Sequence, residues 1–242
     1  MNNAPTAGPV ALVGSGEFLD AMVEVDAELL AGRAQRVVFL PTAAAEEGAE
    51  RVRYWIELGR AHYAAMGVEA LPLKVLDRED AECPELASQV AGAGLVYLSG
   101  GNPGFLAYTL AGTAVWQAIL EAWNAGAALA GCSAGACALT RIADDFRQPG
   151  RFAGDGLGVV PEFVVLPHFD RIEHWAPGLV DRMRARVPLG AVLIGIDENT
   201  ALVGNNANFT VWGQNSVWRI DEDGSRSQFR AGEPLKWQAP AS

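Results

Sequence analysis

The 242-residue chain is half apolar, carries a formal net charge of −11 and has charged side chains at only 19% of its positions. This balance is typical of an ordered globule and argues against a disordered chain. The acidic charge argues against nucleic acid and anionic membrane as partners, because both bind basic protein surfaces. No apolar run approaches the ~20 residues of a membrane span, so we expect no membrane partner.

The cysteines and the first residues of the chain predict the cellular location of the protein and the state of its thiols. Cys83, Cys132 and Cys137 form neither an even disulfide framework nor a paired C-x-x-C metal motif. The first residues lack the basic and apolar regions of a signal peptide. We therefore expect reduced thiols, no bound metal and a cytoplasmic location.

Short apolar runs alternate with stretches of helical periodicity along the first half of the chain. The runs end in glycine or proline turns, as buried strands of a parallel sheet do. We predict strands at residues 10–13, 37–40, 68–76, 94–98 and 127–130, and helices at 20–32, 46–66, 77–89, 105–110 and 114–124. This order predicts an α/β fold with a doubly wound, mostly parallel sheet and helices on both faces. Pro72 predicts an edge position for the third strand.

The second half of the chain changes character. A polar stretch at 144–155 predicts a loop that could act as a flap over a site. Residues 157–166 and 192–196 predict two further strands, with a helix at 179–187 between them. Short alternating strands joined by Gly/Asn turns at 201–203, 208–212 and 216–220 predict an antiparallel C-terminal extension.

No repeat or linker divides the chain, so we expect one domain, with a core at about 8–205 and the extension at about 206–242. Apolar strands exposed at a sheet edge can pair two subunits. Residues 209–218 are therefore a candidate homodimer interface.

A G-x-S-x-G pattern follows the fifth predicted strand, with Ser133 between Gly131 and Gly135. The glycines stand where side chains would obstruct a sharp strand-to-helix turn, the nucleophile elbow that exposes a serine hydroxyl. Such a serine also lies at a helix N-terminus, which favours developing negative charge. A plain βα turn is the alternative. Cys132 has alanine two positions before and after it, so the register favours Ser133 as the nucleophile.

A serine hydroxyl needs a general base, usually a histidine oriented by a carboxylate. Of the three histidines, His168 follows Pro167 at the end of a predicted strand, which would project it beyond the sheet. His62 lies within a predicted helix, where a surface or packing role is expected. His174 stands beside Trp175, where we expect packing.

Several carboxylates are candidates for the acid that orients the base. Glu198 follows the strand at 192–196 and would reach the same edge of the sheet, although it could instead cap a turn. Asp197 would point the opposite way if the strand continues. Asp144 and Asp145, which follow the serine helix, and Asp170 are alternatives.

An acyl-transfer site also needs donors for an oxyanion. The backbone N–H of Ala134 and the Gly100-Gly101 turn are candidates, because glycine lets the backbone approach a substrate closely. Asn102 could add a side-chain donor or hold the turn.

Three arginines are candidates to bind an acidic substrate group, with ordinary solvation as the alternative. They are Arg147, Arg151 and Arg171.

Four motifs resemble those of a known family. They are Leu-Ser-Gly-Gly-Asn at 98–102, Gly-Cys-Ser-Ala-Gly-Ala at 131–136, Pro-His-Phe at 167–169 and Gly-Ile-Asp-Glu-Asn-Thr-Ala-Leu at 195–202, with weaker similarity at 14–17 and 41–43. In this order they resemble the S51 serine peptidases, which comprise aspartyl dipeptidase (peptidase E) and cyanophycinase. That resemblance implies a flavodoxin-like, class I glutamine-amidotransferase-like fold.

The resemblance also implies roles for single residues. Ser133 would be the nucleophile and His168 the base, with Gly101 and Ala134 as oxyanion donors and no metal or organic cofactor. Members similar to cyanophycinase place the acid at the position of Glu198.

Members similar to peptidase E place the acid after the serine helix, which keeps Asp144 or Asp145 open. The expected substrate is a small peptide or isopeptide amide, such as an aspartyl dipeptide or β-Asp-Arg. The alternatives are a non-catalytic member that binds a ligand at the elbow, and an amidotransferase or esterase with the same triad.

Overall fold

The structure is a computed structural model, and it describes residues 6–145, 154–205 and 208–236. The strands are β1 (Val10–Val13), β2 (Arg36–Leu40), β3 (Glu69–Pro72), β4 (Leu95–Leu98), β5 (Ala128–Cys132), β6 (Phe163–Leu166), β7 (Val192–Ile196), β8 (Thr200–Asn205), β9 (Asn208–Gly213), β10 (Ser216–Ile220), β11 (Arg226–Arg230) and β12 (Pro234–Lys236). The α-helices are α1 (Val23–Leu30), α2 (Ala49–Ala65), α3 (Arg78–Glu82), α4 (Pro84–Ser88), α5 (Pro103–Leu110), α6 (Ala114–Asn124), α7 (Ala134–Leu139), α8 (Phe169–Trp175) and α9 (Leu179–Arg184).

A large sheet organises the molecule, with strand order β12-β9-β8-β1-β5-β4-β2-β3. The five strands from β1 to β3 in this order are parallel, and β8, β9 and β12 extend them in antiparallel fashion. Strands β1, β4 and β5 are buried along their whole length, as expected where helices cover both faces of a sheet. The predicted α/β fold and its antiparallel C-terminal extension are confirmed, and β3 lies at the predicted edge.

A second, four-stranded sheet has the order β11-β10-β7-β6. Its strands β6 and β7 run parallel, and β10 and β11 add to β7 in antiparallel fashion. We expected the strands that precede His168 and Glu198 to end at the edge of the large sheet, and this was wrong. Apolar periodicity predicts a strand but does not specify its partner, and here the partner of β7 is β10.

The two sheets nevertheless share a hydrophobic core. One apolar cluster contains Val10 and Leu12 of the large sheet together with Phe163 and Ile194 of the small one. The rings of Phe163 and Phe209 meet across the two sheets with their centroids 5.1 Å apart. The two sheets therefore pack against each other through one continuous apolar cluster.

The candidate homodimer interface at 209–218 is not a sheet edge. Strand β9 lies between β8 and β12, and β10 lies between β7 and β11. Phe209 and Val217 are buried in the core. These strands have their hydrogen-bonding partners within the chain, so they do not offer a second subunit an edge to pair with.

Several predicted boundaries shift by a few residues. The predicted helix at 46–66 is α2, preceded by a short 3-10 helix at Thr42–Glu47. The predicted helix at 77–89 is two helices, α3 and α4, because Pro84 starts a new helix and cannot continue the previous one. The predicted flap at 144–155 lies mostly outside the described residues, as do Arg147 and Arg151.

His62 is buried and has an acidic partner that the sequence did not reveal. Its Nε2 lies 2.7 Å from Asp26 Oδ2, and both side chains are 2% exposed. The partners are 36 positions apart and meet because α1 and α2 pack together. Burial raises the pKa of the Asp26 carboxyl, and the hydrogen bond from His62 opposes that shift.

We expect Asp26→Ala to lower the free energy of unfolding by about 3 kcal/mol, because it leaves the His62 ring buried without its partner. Urea denaturation followed by circular dichroism measures the change. Glu50→Ala is the control, since Glu50 pairs with Arg53 at the exposed surface of α2 and its removal should cost less than about 0.5 kcal/mol. Equal stability of the two variants would contradict the prediction.

Candidate active site

Ser133 occupies a strained turn between β5 and α7. Its φ of 50° and ψ of −105° place a residue other than glycine in a sparsely populated region. A Cβ at Gly131 would overlap the backbone of Gly135, and a Cβ at Gly135 would overlap Leu98 O. The two glycines are therefore required by close backbone approach, and the chain turns sharply enough to expose the serine hydroxyl.

The structure brings Ser133, His168 and Glu198 into contact. His168 Nε2 lies 3.1 Å from Ser133 Oγ, and His168 Nδ1 lies 3.0 Å from Glu198 Oε1. His168 is itself in the left-handed region, with φ 50° and ψ 41°, at the start of α8. In this geometry the ring can take a proton from the serine while the carboxylate holds the opposite nitrogen.

Neighbouring groups hold Glu198 in place. Its backbone N–H donates to Asp170 Oδ1 at 2.9 Å, and its carbonyl accepts from Asn215 Nδ2 at 2.8 Å. Arg171 Nε lies 3.5 Å from Glu198 Oε2 and 3.6 Å from Asp170 Oδ2. Asp170 and Arg171 therefore help to hold Glu198 in position. The Glu198 side chain contacts His168, so it does not merely cap a turn.

Asp197 points away from the site, as the alternation of a strand requires. Its carboxylate accepts from Trp218 Nε1 at 3.1 Å and from Ser216 N at 3.2 Å. Burial raises the pKa of this carboxyl, and the hydrogen bonds from Trp218 and Ser216 oppose that shift. Asp197 thus belongs to the junction between β7 and β10.

Asp144 and Asp145, also considered for the role of the acid, both line the pocket in front of Ser133. Asp144 forms an ion pair with Arg186 and accepts from Gly154 N at 3.2 Å. Asp145 is buried and lines the pocket in front of Ser133. Glu198, by contrast, contacts the His168 ring directly.

The Cys132 side chain forms a hydrogen bond in the interior of the protein. Its thiol is fully buried and donates to Glu17 Oε2 at 2.8 Å. Burial, and secondly the negative charge of Glu17, raise the pKa of this thiol well above its usual range. Cys132 is therefore a protonated thiol turned away from the pocket, which agrees with the choice of Ser133.

The glycine turn after β4 contributes one residue to the pocket. Gly101 lines it, and its φ of 146° and the overlap of an added Cβ with Ala43 O admit only glycine. Ala134 lines the same pocket directly after Ser133. The N–H of Gly100 instead donates to Glu17 Oε1 at 2.9 Å. The Gly100 N–H, considered above as an oxyanion donor, thus already donates a hydrogen bond within the protein.

Asn102 holds the turn. Its Oδ1 caps α5 by accepting from Phe105 N at 3.0 Å, and its Nδ2 donates to Glu46 Oε2 at 3.1 Å. Its backbone N–H donates to Ala43 O at 2.7 Å. Of the two roles considered for Asn102, the structure shows the structural one.

The serine hydroxyl faces a cavity of about 370 Å³. Apolar groups of Pro103, Cys137 and Ala176 form much of its wall. Trp175 completes it, with its ring centroid 5.3 Å from that of His168. We expected His174 to pack, but His174 is exposed and Trp175 lies at the site. The spacing of seven residues between His168 and Trp175, two turns of one helix face, is the signal that could have shown this.

Within the described ranges 6–145, 154–205 and 208–236, no helix combines the length and the apolar character needed to cross a membrane. In the same part of the chain, no three His, Cys, Asp or Glu side chains cluster where they could hold a metal ion.

Comparisons with known proteins identify the relatives of this chain. The model of peptidase family S51 matches residues 10–212. The crystal structure of a peptidase from an acI-B1 actinobacterium is 37% identical, with a TM-score of 0.88 over 97% of this chain and 99% of that one. A putative peptidase E protein from Listeria monocytogenes EGD-e is 20% identical and shares the fold, with a TM-score of 0.65 over 87% of this chain and 100% of that one. A search of curated proteins found no match.

The family match and the actinobacterial structure define the class of the protein, which is a serine-type peptidase. The chain belongs to peptidase family S51, whose model covers most of its length. The resemblance in the four motifs is thereby confirmed at the level of the family.

The close packing at the elbow can be tested by adding one methyl group. We expect Gly135→Ala to lower the free energy of unfolding by about 2 kcal/mol, because the new Cβ overlaps Leu98 O and the helix must shift. Gly154→Ala is the matched control, since none of the described residues lies within 4 Å of an added Cβ there, and it should change stability by less than about 1 kcal/mol. Thermal and urea unfolding of both variants give the comparison, and a Gly135→Ala variant as stable as the wild type would show that the packing is loose.

Proposed function

We propose that this peptidase hydrolyses the amide bond of a small peptide or isopeptide through an acyl-enzyme on Ser133. The observation that carries the proposal is the continuous contact from Ser133 Oγ to His168 Nε2 and from His168 Nδ1 to Glu198 Oε1, with distances of 3.1 and 3.0 Å. These lie within hydrogen-bond reach for a nucleophile, its base and an orienting acid.

In the first half-reaction the base activates the nucleophile. His168 Nε2 accepts the hydroxyl proton as Ser133 Oγ attacks the amide carbonyl, and Glu198 stabilises the imidazolium that forms. The backbone N–H groups of Gly101 and Ala134 are the proposed donors to the tetrahedral oxyanion. When the C–N bond breaks, His168 returns the proton to the leaving amine, and the acyl group remains on Ser133.

In the second half-reaction water takes the place of the amine. His168 Nε2 accepts a proton from water as its oxygen attacks the acyl carbonyl. The C–O bond to Ser133 then breaks, the serine oxygen regains its proton from His168, and the carboxylic acid product leaves.

The dimensions of the site support a small substrate. A cavity of about 370 Å³ is near the lower end of ordinary ligand pockets. We propose an aspartyl dipeptide or a β-Asp-Arg-like isopeptide as the substrate class, on the basis of the family resemblance.

The rival interpretation, a non-catalytic member that binds a ligand at the elbow, predicts a wide separation of serine and histidine. The hydrogen-bond distance between Ser133 and His168 speaks against it. Side-by-side assays of Asp-Xaa dipeptides, β-Asp-Arg and glutamine separate the peptidase from an amidotransferase with the same triad.

We expect Ser133→Ala to abolish hydrolysis of every substrate that the wild type cleaves. A fluorophosphonate probe should label Ser133 in the folded wild type, as mass spectrometry of the labelled peptide would show. Cys132→Ser is the control, because it changes the neighbouring position and leaves the reactive serine in place. Full activity of Ser133→Ala would refute the acyl-enzyme.

The identity of the acid can be tested separately. Glu198→Gln should lower kcat by roughly 10³–10⁴-fold, since an amide favours the wrong histidine tautomer. Asp144→Asn should have a much smaller effect, because Asp144 pairs with Arg186. Steady-state kinetics of the two variants decide between them, and a larger loss in Asp144→Asn would transfer the role of acid to that residue.

A further inference from the structure

The turn after β1 places a buried carboxylate behind the candidate active site. Glu17 is 5% exposed, and neither the proposed triad nor the pocket wall uses it. Its Oε1 accepts from Gly100 N at 2.9 Å, and its Oε2 accepts from Cys132 Sγ at 2.8 Å. One side chain thus bridges the turn after β4 and the last residue of β5, which are 32 positions apart in the chain.

We propose that Glu17 is a positioning residue that holds the two proposed oxyanion donors at a fixed separation. The inference rests on the proposed function of Ser133. Glu17 acts one step away from the chemistry, since Gly100 directly precedes Gly101 and Cys132 stands two positions before Ala134.

The sheet explains why a residue after β1 can do this. Strands β1, β5 and β4 are parallel neighbours, with Val13 beside Cys132 and Leu98 beside Gly131. All three strands therefore end at the same edge. The chain after β1 brings Glu17 beneath the loops that follow the other two strands.

The carboxylate fits tightly against the glycine turn. A Cβ added at Gly100 would lie 2.8 Å from Glu17 Oε1 and 3.6 Å from Ser133 Cβ. The backbone of Gly100 thus packs closely against the Glu17 carboxylate with Ser133 nearby, which leaves little room for the turn to move.

The chemistry of the two donors suits a carboxylate. Hydrogen bonds to an ionised acceptor are shorter and stronger than those between neutral groups. The raised pKa of the Cys132 thiol keeps its proton available for donation. Each oxygen of Glu17 accordingly has a donor within the protein, and Glu17 is not among the residues that line the pocket.

Glu17→Met removes both acceptors while keeping a side chain of similar length. We expect kcat to fall about 10- to 100-fold with KM changed less than about threefold, because the donors act in the transition state more than in the bound substrate. The affinity for a peptide boronic acid, which mimics the tetrahedral intermediate, should fall by a similar factor.

Further variants test separately the contacts of Glu17 with Gly100 and with Cys132. Glu17→Gln keeps an acceptor for Gly100 N and should retain kcat within about fivefold of the wild type. Cys132→Ala removes only the thiol contact and should have a smaller effect than Glu17→Met. Glu17→Asp keeps the charge but is one methylene too short to span both donors, so it should lower kcat about tenfold and decides the question if Glu17→Met fails to fold.

Asp26→Ala is the control for a buried carboxylate with a structural role alone. It should lower stability while kcat of the folded protein stays within about twofold of the wild type. If Glu17→Met, or Glu17→Asp in its place, lowers stability but leaves kcat and boronic acid affinity unchanged, Glu17 is structural and the inference is wrong. That result leaves the proposed function intact, whereas a wild-type chain that cleaves none of the peptides overturns both.

Discussion

Close backbone packing around Ser133 is the constraint on which the rest of the structure depends. Helix α7 can leave β5 at this angle only because two positions lack a side chain. A Cβ at Gly131 would overlap the backbone of Gly135, and a Cβ at Gly135 would overlap Leu98 O. The packing fixes the helix against two parallel strands and forces Ser133 to a φ of 50°. The main chain therefore sets the position of the hydroxyl, and the core stabilises a conformation that would be costly in isolation.

A three-residue crossing between the sheets brings the base and the acid to this turn. Strand β7 ends at Ile196 in the small sheet and β8 begins at Thr200 in the large one. Gly14 makes room, since a Cβ there would overlap Asp197 O. Along the crossing, Asp197 binds Trp218 and Ser216 while Glu198 contacts His168, so adjacent carboxylates serve the structure and the site separately.

Local patterns predicted much of this arrangement. Glycine spacing at Ser133, the proline before His168 and the strand before Glu198 each indicated a residue projecting from a strand end, and the structure brings the three side chains together. The small sheet was not predicted, because strand periodicity carries no information about pairing. Contacts between residues distant in the chain were also missed: Glu17 lies 83 positions from Gly100, and its role as an acceptor depends on which strands are neighbours.

The proposed nucleophile and its base stand on different layers of the molecule. Ser133 extends from the large sheet, whereas His168 follows β6 and Glu198 follows β7 of the small sheet. The 3.1 Å between Oγ and Nε2 therefore depends on how the two sheets pack against each other, and Phe163 and Phe209 form one of the contacts between them. A substitution in the shared core that leaves folding intact can still shift one sheet against the other, and it would then change the distance between the proposed nucleophile and its base.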